Sequence, residues 1–461
     1  MANDLQRDLG LYTIVMISMG AMIGSGIFVL PALGLKKAGP AVVFAYVLAG
    51  LVVLPAALSK AEMATAMPES GGTYLYIDRA MGPLFGTVAG IGAWFSLVFK
   101  SSFALVGLGA YLLLFVNIPS GAITFVALGL AALIVALNIV GTEQSGQAQA
   151  VVVTVVVVAL VAYVVNGAFV LETERFQPLV THGSGGVVTA AAFVFVSYAG
   201  VTKIASVAEE VENPGRNLPL AMLGSMGIMM VVYAAVVATV VGLNDPTLLT
   251  TSGPNGGVSL TPMADGAGSL FAGSGVFLIS LIAVLALTSM ANAGVLASSR
   301  FPLAMSRDSL LPARFKRISP RFKTPQNAIL LTGSLLLVLI AFVPVVELAK
   351  LASAFQILVF SIMHLALAAF RESDADFYQP EFTAPGYPVV QIVGVLGGVV
   401  LLTQMGLLPI LGAIGMIVGG IGWYVIYGRP RTDRVGALSV LLSGREDEID
   451  ESDVEPSDPP G

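Results

Sequence analysis

The sequence predicts an all-α membrane protein with twelve transmembrane helices, and two observations carry that prediction. Apolar residues make up 56% of the 461 residues and charged residues only 11%, a balance far from that of a soluble globular protein. The apolar residues also cluster into stretches of about the 20 residues that a helix needs to cross a bilayer. These stretches lie near residues 11–32, 41–64, 84–116, 120–140, 149–171, 187–208, 218–243, 269–300, 327–346, 348–370, 387–406 and 408–427.

The first span is predicted to stay in the mature protein. No small-residue cleavage site precedes a polar region, and the apolar run continues through a glycine-rich centre to Pro31. The sequence has no cysteine, which excludes disulfides, thiolate nucleophiles and cysteine metal ligands. Its two histidines, His182 and His364, offer little for metal chemistry. We therefore expect neither a metal nor a cofactor.

The positions of lysine and arginine predict that both termini are cytoplasmic, because positive residues in short loops stay on that side of the membrane. Basic residues cluster after spans eight and twelve, two regions that twelve crossings put on one side: Arg307, Arg314, Lys316, Arg317, Arg321, Lys323, Arg429, Arg431, Arg434 and Arg445. The long loop 244–268 has neither Lys nor Arg, as an outside loop should. Lys36 and Lys37, after span one, run against the pattern.

The C-terminal segment 428–461 is predicted to be a cytoplasmic, acidic and disordered tail. Its last 17 residues, from Arg445 to Gly461, hold eight acidic residues together with Ser and Pro. Such a composition cannot bury enough apolar surface to fold alone.

Two of the spans are interrupted near their centres by small or polar residues. Span one contains Gly24-Ser25-Gly26, and span six contains the run FVSYAGVTK from Phe195 to Lys203. Irregular backbone at mid-membrane survives only where it lines a cavity or a site, because an unpaired backbone group is costly in lipid. Spans one and six begin two halves of five spans each, so the interruptions occupy equivalent positions.

Interrupted helices at equivalent positions indicate a transporter site between two repeats. Freed amide N–H groups at the positive end of a half-helix can bind a carboxylate, and freed carbonyl groups can bind an ammonium group or a cation. The alternative interpretation is that the glycines only allow helices to pack closely. Two interruptions at matching positions favour the binding site.

Four groups of residues form sequence motifs that are more specific than the apolar pattern of the spans. The groups are Gly24-Ser25-Gly26-Ile27-Phe28; Ala61-Glu62-Met63 with Pro68-Glu69-Ser70-Gly71-Gly72-Thr73-Tyr74-Leu75-Tyr76 and Gly82-Pro83; Ala208-Glu209-Glu210-Val211 with Asn213-Pro214-Gly215-Arg216-Asn217-Leu218-Pro219; and Ser299-Arg300 with Ala304-Met305-Ser306-Arg307-Asp308 and Leu311-Pro312. In combination they resemble the amino acid–polyamine–organocation (APC) superfamily of permeases. The resemblance covers about residues 10–370.

The resemblance implies a ten-helix core at 11–370, made of two inverted repeats at about 11–171 and 187–370. It places a cytoplasmic N-terminus at 1–10 and two peripheral helices, eleven and twelve, at 387–427. The core would alternate its access around a central amino acid site.

The resemblance also implies which residues bind the substrate. Amides around the first break would bind its carboxylate, and carbonyls near the second break its α-ammonium group, with Phe195 or Tyr198 as an aromatic lid. The implied site residues are Ile23, Gly24, Ser25, Gly26, Phe195, Ser197, Tyr198, Ala199, Gly200 and Thr202.

The chain departs from the superfamily pattern at two points. Some proton-coupled members carry a lysine in the fifth helix, whereas the matching stretch 154–158 has none. Carriers of cationic amino acids tend to have an acidic residue two positions after the glycine of the sixth helix, where this chain has Thr202. A preference for arginine or lysine is therefore not expected.

Two lysines inside spans are candidates for coupling transport to protons. Lys203 lies at the second break, and Lys100 lies mid-span on a stripe of small or polar positions. A lysine at mid-membrane costs roughly 2.5–3.5 kcal/mol to insert, so it should face the interior and have a role. We expect Lys203 to be the stronger candidate for losing its proton during the cycle. Lys100 could instead be a carbonyl-satisfied side chain, and Thr288 and Ser289 offer hydroxyls for a sodium site as the alternative.

The sequence thus predicts a secondary transporter that moves amino acids across the cell membrane, with H⁺ or Na⁺ as coupling ion. An exchange carrier and a binding-only receptor remain open, because both would keep the same site. A channel would require a pore ring, usually with few spans per chain. A membrane enzyme would require a clustered acid–base or metal set, which this sequence does not offer.

Overall fold

The computed structural model describes residues 8–68, 72–116, 120–141, 146–373, 377–432 and 434–438, and in these ranges the chain is helical without extended strands. All twelve predicted apolar stretches coincide with helices. The helices are α1 (Leu11–Met22), α2 (Ser25–Phe28), α3 (Leu30–Ala38), α4 (Val42–Ala66), α5 (Gly72–Met81), α6 (Pro83–Leu113), α7 (Ile123–Val140), α8 (Gly146–Ala168), α9 (Gly183–Val194), α10 (Pro214–Leu243), α11 (Pro246–Thr251), α12 (Pro262–Asp265), α13 (Gly275–Arg307), α14 (Gln326–Phe342), α15 (Val345–Glu372), α16 (Val389–Thr403) and α17 (Leu407–Trp423).

Within the described ranges, nine helical stretches are long and apolar enough to cross a membrane. Three further apolar helices, α1, α14 and α16, are shorter. Helix α1 is short because span one is interrupted at the predicted glycines, and the chain continues as α2 and α3 as far as Ala38, beyond the predicted end at residue 32. Proline stands in the first turn of several helices, including α6 and α10, where its missing N–H costs nothing.

The second interruption also appears as a change of backbone. Helix α9 ends at Val194, and the chain continues as 3-10 helix over Phe195–Ser197 and Ala199–Glu210. A 3-10 run of this length is unusual, because its hydrogen-bond geometry is poorer than that of an α-helix. Both predicted breaks are therefore features of the fold.

The helices divide into an inner and an outer group. Helix α6 packs against α13 and α15, while α1 packs against α10 and the segment Ala199–Glu210. Most of the side chains of α6 and α15 are buried, whereas α7, α8 and α17 expose apolar faces. On α7, for example, Phe125 is 76% exposed. A soluble protein would bury such side chains, so the outer faces are surfaces for lipid.

The predicted acidic tail lies largely outside the described residues, which end at Leu438. The described part of the segment after α17 packs against the helices. Arg434 forms an ion pair with Asp78, with Nη1 and Oδ2 2.8 Å apart. The start of the predicted tail is therefore docked, and the disorder prediction concerns residues 439–461 only.

Candidate functional site

The two breaks lie directly against each other, and we call the residues around them, 21–28 and 193–202, the break site. A Cβ atom on Gly26 would lie 3.0 Å from the Cα of Ser197 and overlap its side chain. A Cβ atom on Gly200 would lie 2.6 Å from the amide nitrogen of Met22 and overlap the carbonyl group of Ala21. Glycine at 26 and 200 therefore allows two irregular backbones to touch.

Side chains from distant helices donate to the carbonyl groups that the first break frees. The Tyr233 hydroxyl donates to Met22 O at 2.7 Å, and the Tyr46 hydroxyl to Gly26 O at 2.6 Å. The Tyr111 hydroxyl donates to Phe28 O at 2.8 Å. Lys100 Nζ donates to Ala21 O at 3.2 Å. Each hydroxyl or ammonium group offsets the cost of a buried, unpaired carbonyl.

The amide N–H groups of the first break, unlike its carbonyl groups, are mostly without protein partners among the described residues. The N–H of Ser25 donates to the sulfur of Met290, with N and Sδ 3.3 Å apart, and the Ser25 hydroxyl lies 3.7 Å from the same sulfur. The amides of Gly24 and Gly26 have no acceptor among the described residues. The amide side of this break therefore keeps hydrogen-bonding capacity for an acceptor such as a carboxylate.

The second break is supported by Ser353 of α15, yet two of its hydroxyls are unpaired. The Ser353 hydroxyl accepts from Val196 N at 3.3 Å and donates to Phe193 O at 3.1 Å. Ser197 Oγ and the Tyr198 hydroxyl are buried with no hydrogen-bond partner among the described residues. Because orphaned buried hydroxyls are uncommon in native proteins, these two mark an incomplete site.

The two predicted lid residues pack on aromatic neighbours. The Phe195 ring meets Phe360 edge-on at 5.9 Å, and the Tyr198 ring meets Tyr233 edge-on at 5.0 Å. The Thr202 hydroxyl donates to Ala199 O at 3.2 Å, so it is satisfied by its own helix. Of the predicted residues at the second break, Ser197 and Tyr198 therefore keep free polar atoms.

The two predicted coupling lysines differ in their surroundings. Lys100 is 6% exposed and holds the carbonyl at the end of α1, whereas Lys203 is half-buried without an ion pair in the described part of the chain. Lys203 repels the Lys100 ammonium group electrostatically, and Arg300 of α13 repels that of Lys203. Neither lysine forms an ion pair with a carboxylate in the described part of the chain, which favours a role other than simple ion pairing.

The two hydroxyls predicted for a sodium site lie on α13 beside Met290. Thr288 is exposed and Ser289 is half-buried, and within the described ranges neither bonds to a carbonyl of span one. The side chain of α13 that reaches the first break is Met290. No cluster of three metal-ligating His, Cys, Asp or Glu residues occurs among the described residues.

A second buried polar region, which we call the end cluster, comprises Tyr74, Asp78, Asp308 and Arg434. Arg434 Nη1 lies 2.8 Å from Asp78 Oδ2 and 3.4 Å from Asp308 Oδ1, and the Tyr74 hydroxyl donates to Asp308 at 2.8 Å. Burial raises the pKa of Asp78 to about 6, while Arg434 opposes the shift and Asp308 adds to it. The end cluster ties α5 and the end of α13 to the segment after α17.

A further buried carboxylate, Glu62 of α4, accepts hydrogen bonds from protein donors at both of its oxygens. Arg371 at the end of α15 donates to both of its oxygens, at 2.8 and 2.5 Å. The Tyr378 hydroxyl and the Ala384 amide donate at 3.0 and 2.7 Å. Glu62 thus anchors the segment between α15 and α16 to α4.

Several residues that contact the break site were not predicted from the sequence. They are Tyr46, Tyr111, Tyr233, Met290 and Ser353. A polar or sulfur-containing side chain in an apolar helix is the only sequence signal they carry, and many other residues share it. An apolar cleft of about 310 Å³ lies elsewhere, between α6, α13 and α17, and is lined by Trp94, Met305 and Trp423 among others.

Comparison with known proteins finds similarity to transporters along most of the chain. A family model described as amino acid permease matches residues 9–426. The branched-chain amino acid permease BcaP of Bacillus subtilis (strain 168) is 29% identical over 447 residues, covering 93% of this chain and 94% of the relative. The methylthioribose transporter of the same organism is 28% identical over 409 residues, covering 85% and 87%. The chloroplastic cationic amino acid transporter 9 of Arabidopsis thaliana is 30% identical over 339 residues, covering 69% and 58%.

Proposed function

The chain belongs to the amino acid permease family of the APC superfamily, and we propose that it carries amino acids across the cell membrane as a secondary transporter with alternating access. The observation that carries the proposal is the set of unpaired polar groups at the break site. The amides of Gly24 and Gly26 and the hydroxyls of Ser197 and Tyr198 belong to different helices that meet at one place.

Contacts between loops support a topology of twelve crossings with both termini cytoplasmic. Leu9 pairs with Val211, which joins the N-terminus to the link after span six. The end cluster joins the links after spans two and eight to the segment after span twelve. In the proposed topology the even-numbered links and both ends share one face. The basic residues after spans eight and twelve favour the cytoplasmic side for that face.

In the proposed site the substrate carboxylate binds at the amides of Gly24, Ser25 and Gly26. These N–H groups begin the half-helix α2, where the peptide dipoles favour a negative charge. The α-ammonium group lies toward the second break, where the Ser197 hydroxyl can accept a hydrogen bond. The Tyr198 hydroxyl completes the binding of one substrate by both repeats, as inverted-repeat transporters require.

We propose proton coupling through the lysines, with Lys100 as the group that the geometry supports better. Its ammonium group holds Ala21 O, at the negative end of α1, and it interacts with the neighbouring cation Lys203. Loss of the proton would leave a neutral amine, which holds this carbonyl by a weaker hydrogen bond and so loosens the first break. Sodium coupling through Thr288 and Ser289 is the alternative, although the carbonyls of Ala21 and Met22 already accept from protein donors.

The function is tested by uptake of labelled amino acids into proteoliposomes under imposed pH and sodium gradients. The panel includes methylthioribose, since one of the relatives is a methylthioribose transporter. We expect uptake of a neutral amino acid driven by an inward proton gradient. Uptake of methylthioribose alone would replace the amino acid proposal, sodium dependence would replace proton coupling, and binding without flux would indicate a receptor.

The site is tested by Ser197→Ala with Ser280→Ala as matched control. Both hydroxyls are buried without a partner, but Ser280 lies on α13 away from the breaks. Removing a hydroxyl that binds substrate should raise KM by about tenfold or more, as for a hydrogen bond to a charged group. Ser280→Ala should leave KM unchanged. Equal KM values for both variants would remove Ser197 from the site.

A further inference from the structure

Met290 is the residue of α13 that enters the break site. It lies near the centre of the helix and is 7% exposed. Its sulfur accepts from the Ser25 amide at 3.3 Å and lies 3.7 Å from the Ser25 hydroxyl. A Cβ atom on Gly24 would overlap this sulfur, so the glycine makes room for it. Met290 thus occupies the position where the proposed function puts the substrate carboxylate.

The chemistry of a thioether suits temporary occupation of this position. Its sulfur is a weak and uncharged acceptor on a side chain with three rotatable bonds. It partly satisfies an amide that would otherwise be buried and unpaired. A carboxylate is a much stronger acceptor for the same N–H group, because its hydrogen bonds are charge-assisted. Substrate can therefore displace the sulfur, which competes only weakly for the same N–H group.

We propose that the Met290 thioether is a placeholder for the substrate carboxylate in the empty carrier. This inference rests on the proposed function. A symporter that accumulates substrate must reorient empty in each cycle, with its site closed from both sides. With Met290 on Ser25, the empty site can close without leaving that amide unpaired. An exchange cycle reorients only in the loaded form and does not need the placeholder.

The test is Met290→Leu, which keeps the volume and removes the acceptor; a swap of this kind costs less than about 1.5 kcal/mol of stability. Net uptake into empty proteoliposomes is compared with exchange into vesicles loaded with the same unlabelled amino acid. The probe is labelled L-leucine, or the panel amino acid that the parent takes up fastest. We expect the ratio of net uptake to exchange to fall at least about threefold, as for loss of one weak hydrogen bond.

A second variant and a control make the outcome decisive. Met290→Gln offers a stronger neutral acceptor, so it should compete with substrate and raise KM, while Met290→Leu should lower KM. The control is Met226→Leu, a buried methionine of α10 that makes no hydrogen bond to the breaks in the described part of the chain. An unchanged ratio in Met290→Leu, or KM shifts of the same sign in both Met290 variants, would overturn the placeholder. Absence of any flux in the parent protein would instead contradict the proposed function.

Discussion

The break site and the end cluster are both buried and polar, but their polar groups are satisfied in opposite ways. In the end cluster Arg434 pairs with both Asp78 and Asp308, so each charge has an opposite charge beside it, although Asp78 Oδ1 and Arg434 Nη2 make no hydrogen bond among the described residues. Beside the break site, Lys100 and Lys203 have no acidic partner among the described residues, and within the site buried amides and hydroxyls have no hydrogen-bond partner there either. Matched charge indicates a structural contact, whereas unmatched groups indicate a ligand that completes them.

The largest expected effect is that of Gly200→Ala, which would break the contact between the two interruptions. The new Cβ would overlap the Ala21 carbonyl, and backbone atoms cannot move aside as a flexible side chain can. We expect transport to fall by more than about tenfold, since small misplacements at a site are costly. Gly419→Ala is the control, because its Cβ would meet nothing within 4 Å. Normal transport by Gly200→Ala would mean that the breaks need not touch.

The next largest effect on transport distinguishes the roles of Lys100 and Lys203, the two lysines beside the break site. Lys100→Met leaves Ala21 O buried without its donor, whereas Lys203→Met removes no hydrogen bond. We expect Lys100→Met to abolish proton-driven accumulation while exchange persists, and Lys203→Met to reduce accumulation by less than about threefold. Both are measured as uptake with and without a pH gradient. The reverse order would return the coupling role to Lys203, as the sequence predicted.

The smallest effect on transport is expected at the end cluster. There we expect a change in the stability of the fold but no change in KM. The folded pKa of Asp78, about 6, lies above its unfolded value, so the folded state binds more protons between about pH 4 and 6. The stability of the parent relative to Asp78→Asn should therefore fall as pH rises through this window. The total is on the order of 3 kcal/mol at 1.36 kcal/mol per pKa unit. Thermal midpoints in detergent across pH 4 to 8 measure it.

The opposite sign is expected for Asp245→Asn, which serves as the control. A hydrogen bond from the Thr247 amide lowers the pKa of Asp245, so its contribution is present at neutral pH and is lost as pH falls. A change of KM in Asp78→Asn at neutral pH would contradict the contrast between the two regions, because it would connect the end cluster to the substrate.

The sequence alone predicted the helices and the two interruptions with good accuracy. The prediction was possible because a bilayer imposes a strict rule: about 20 apolar residues for each span, and no free backbone except at a site. Gly24, Gly26 and Gly200 were recognised because glycine stands out in an apolar helix. The docking of Arg434 on Asp78 could not be predicted in this way, since a lone arginine in a basic stretch does not reveal its partner.

What the sequence by itself determined, then, is local: apolar spans, their breaks, and the positions of Lys100 and Lys203 within spans. Tertiary structure decided which groups meet at the breaks. Tyr233 lies 211 residues from Met22, and Met290 lies 265 residues from Ser25. Thr288 and Ser289 were the chemically obvious ligands on α13, yet the rotation of that helix brings Met290 to the break instead. Helix rotation depends on the packing of many side chains at once, and no pattern along a single apolar helix reports it.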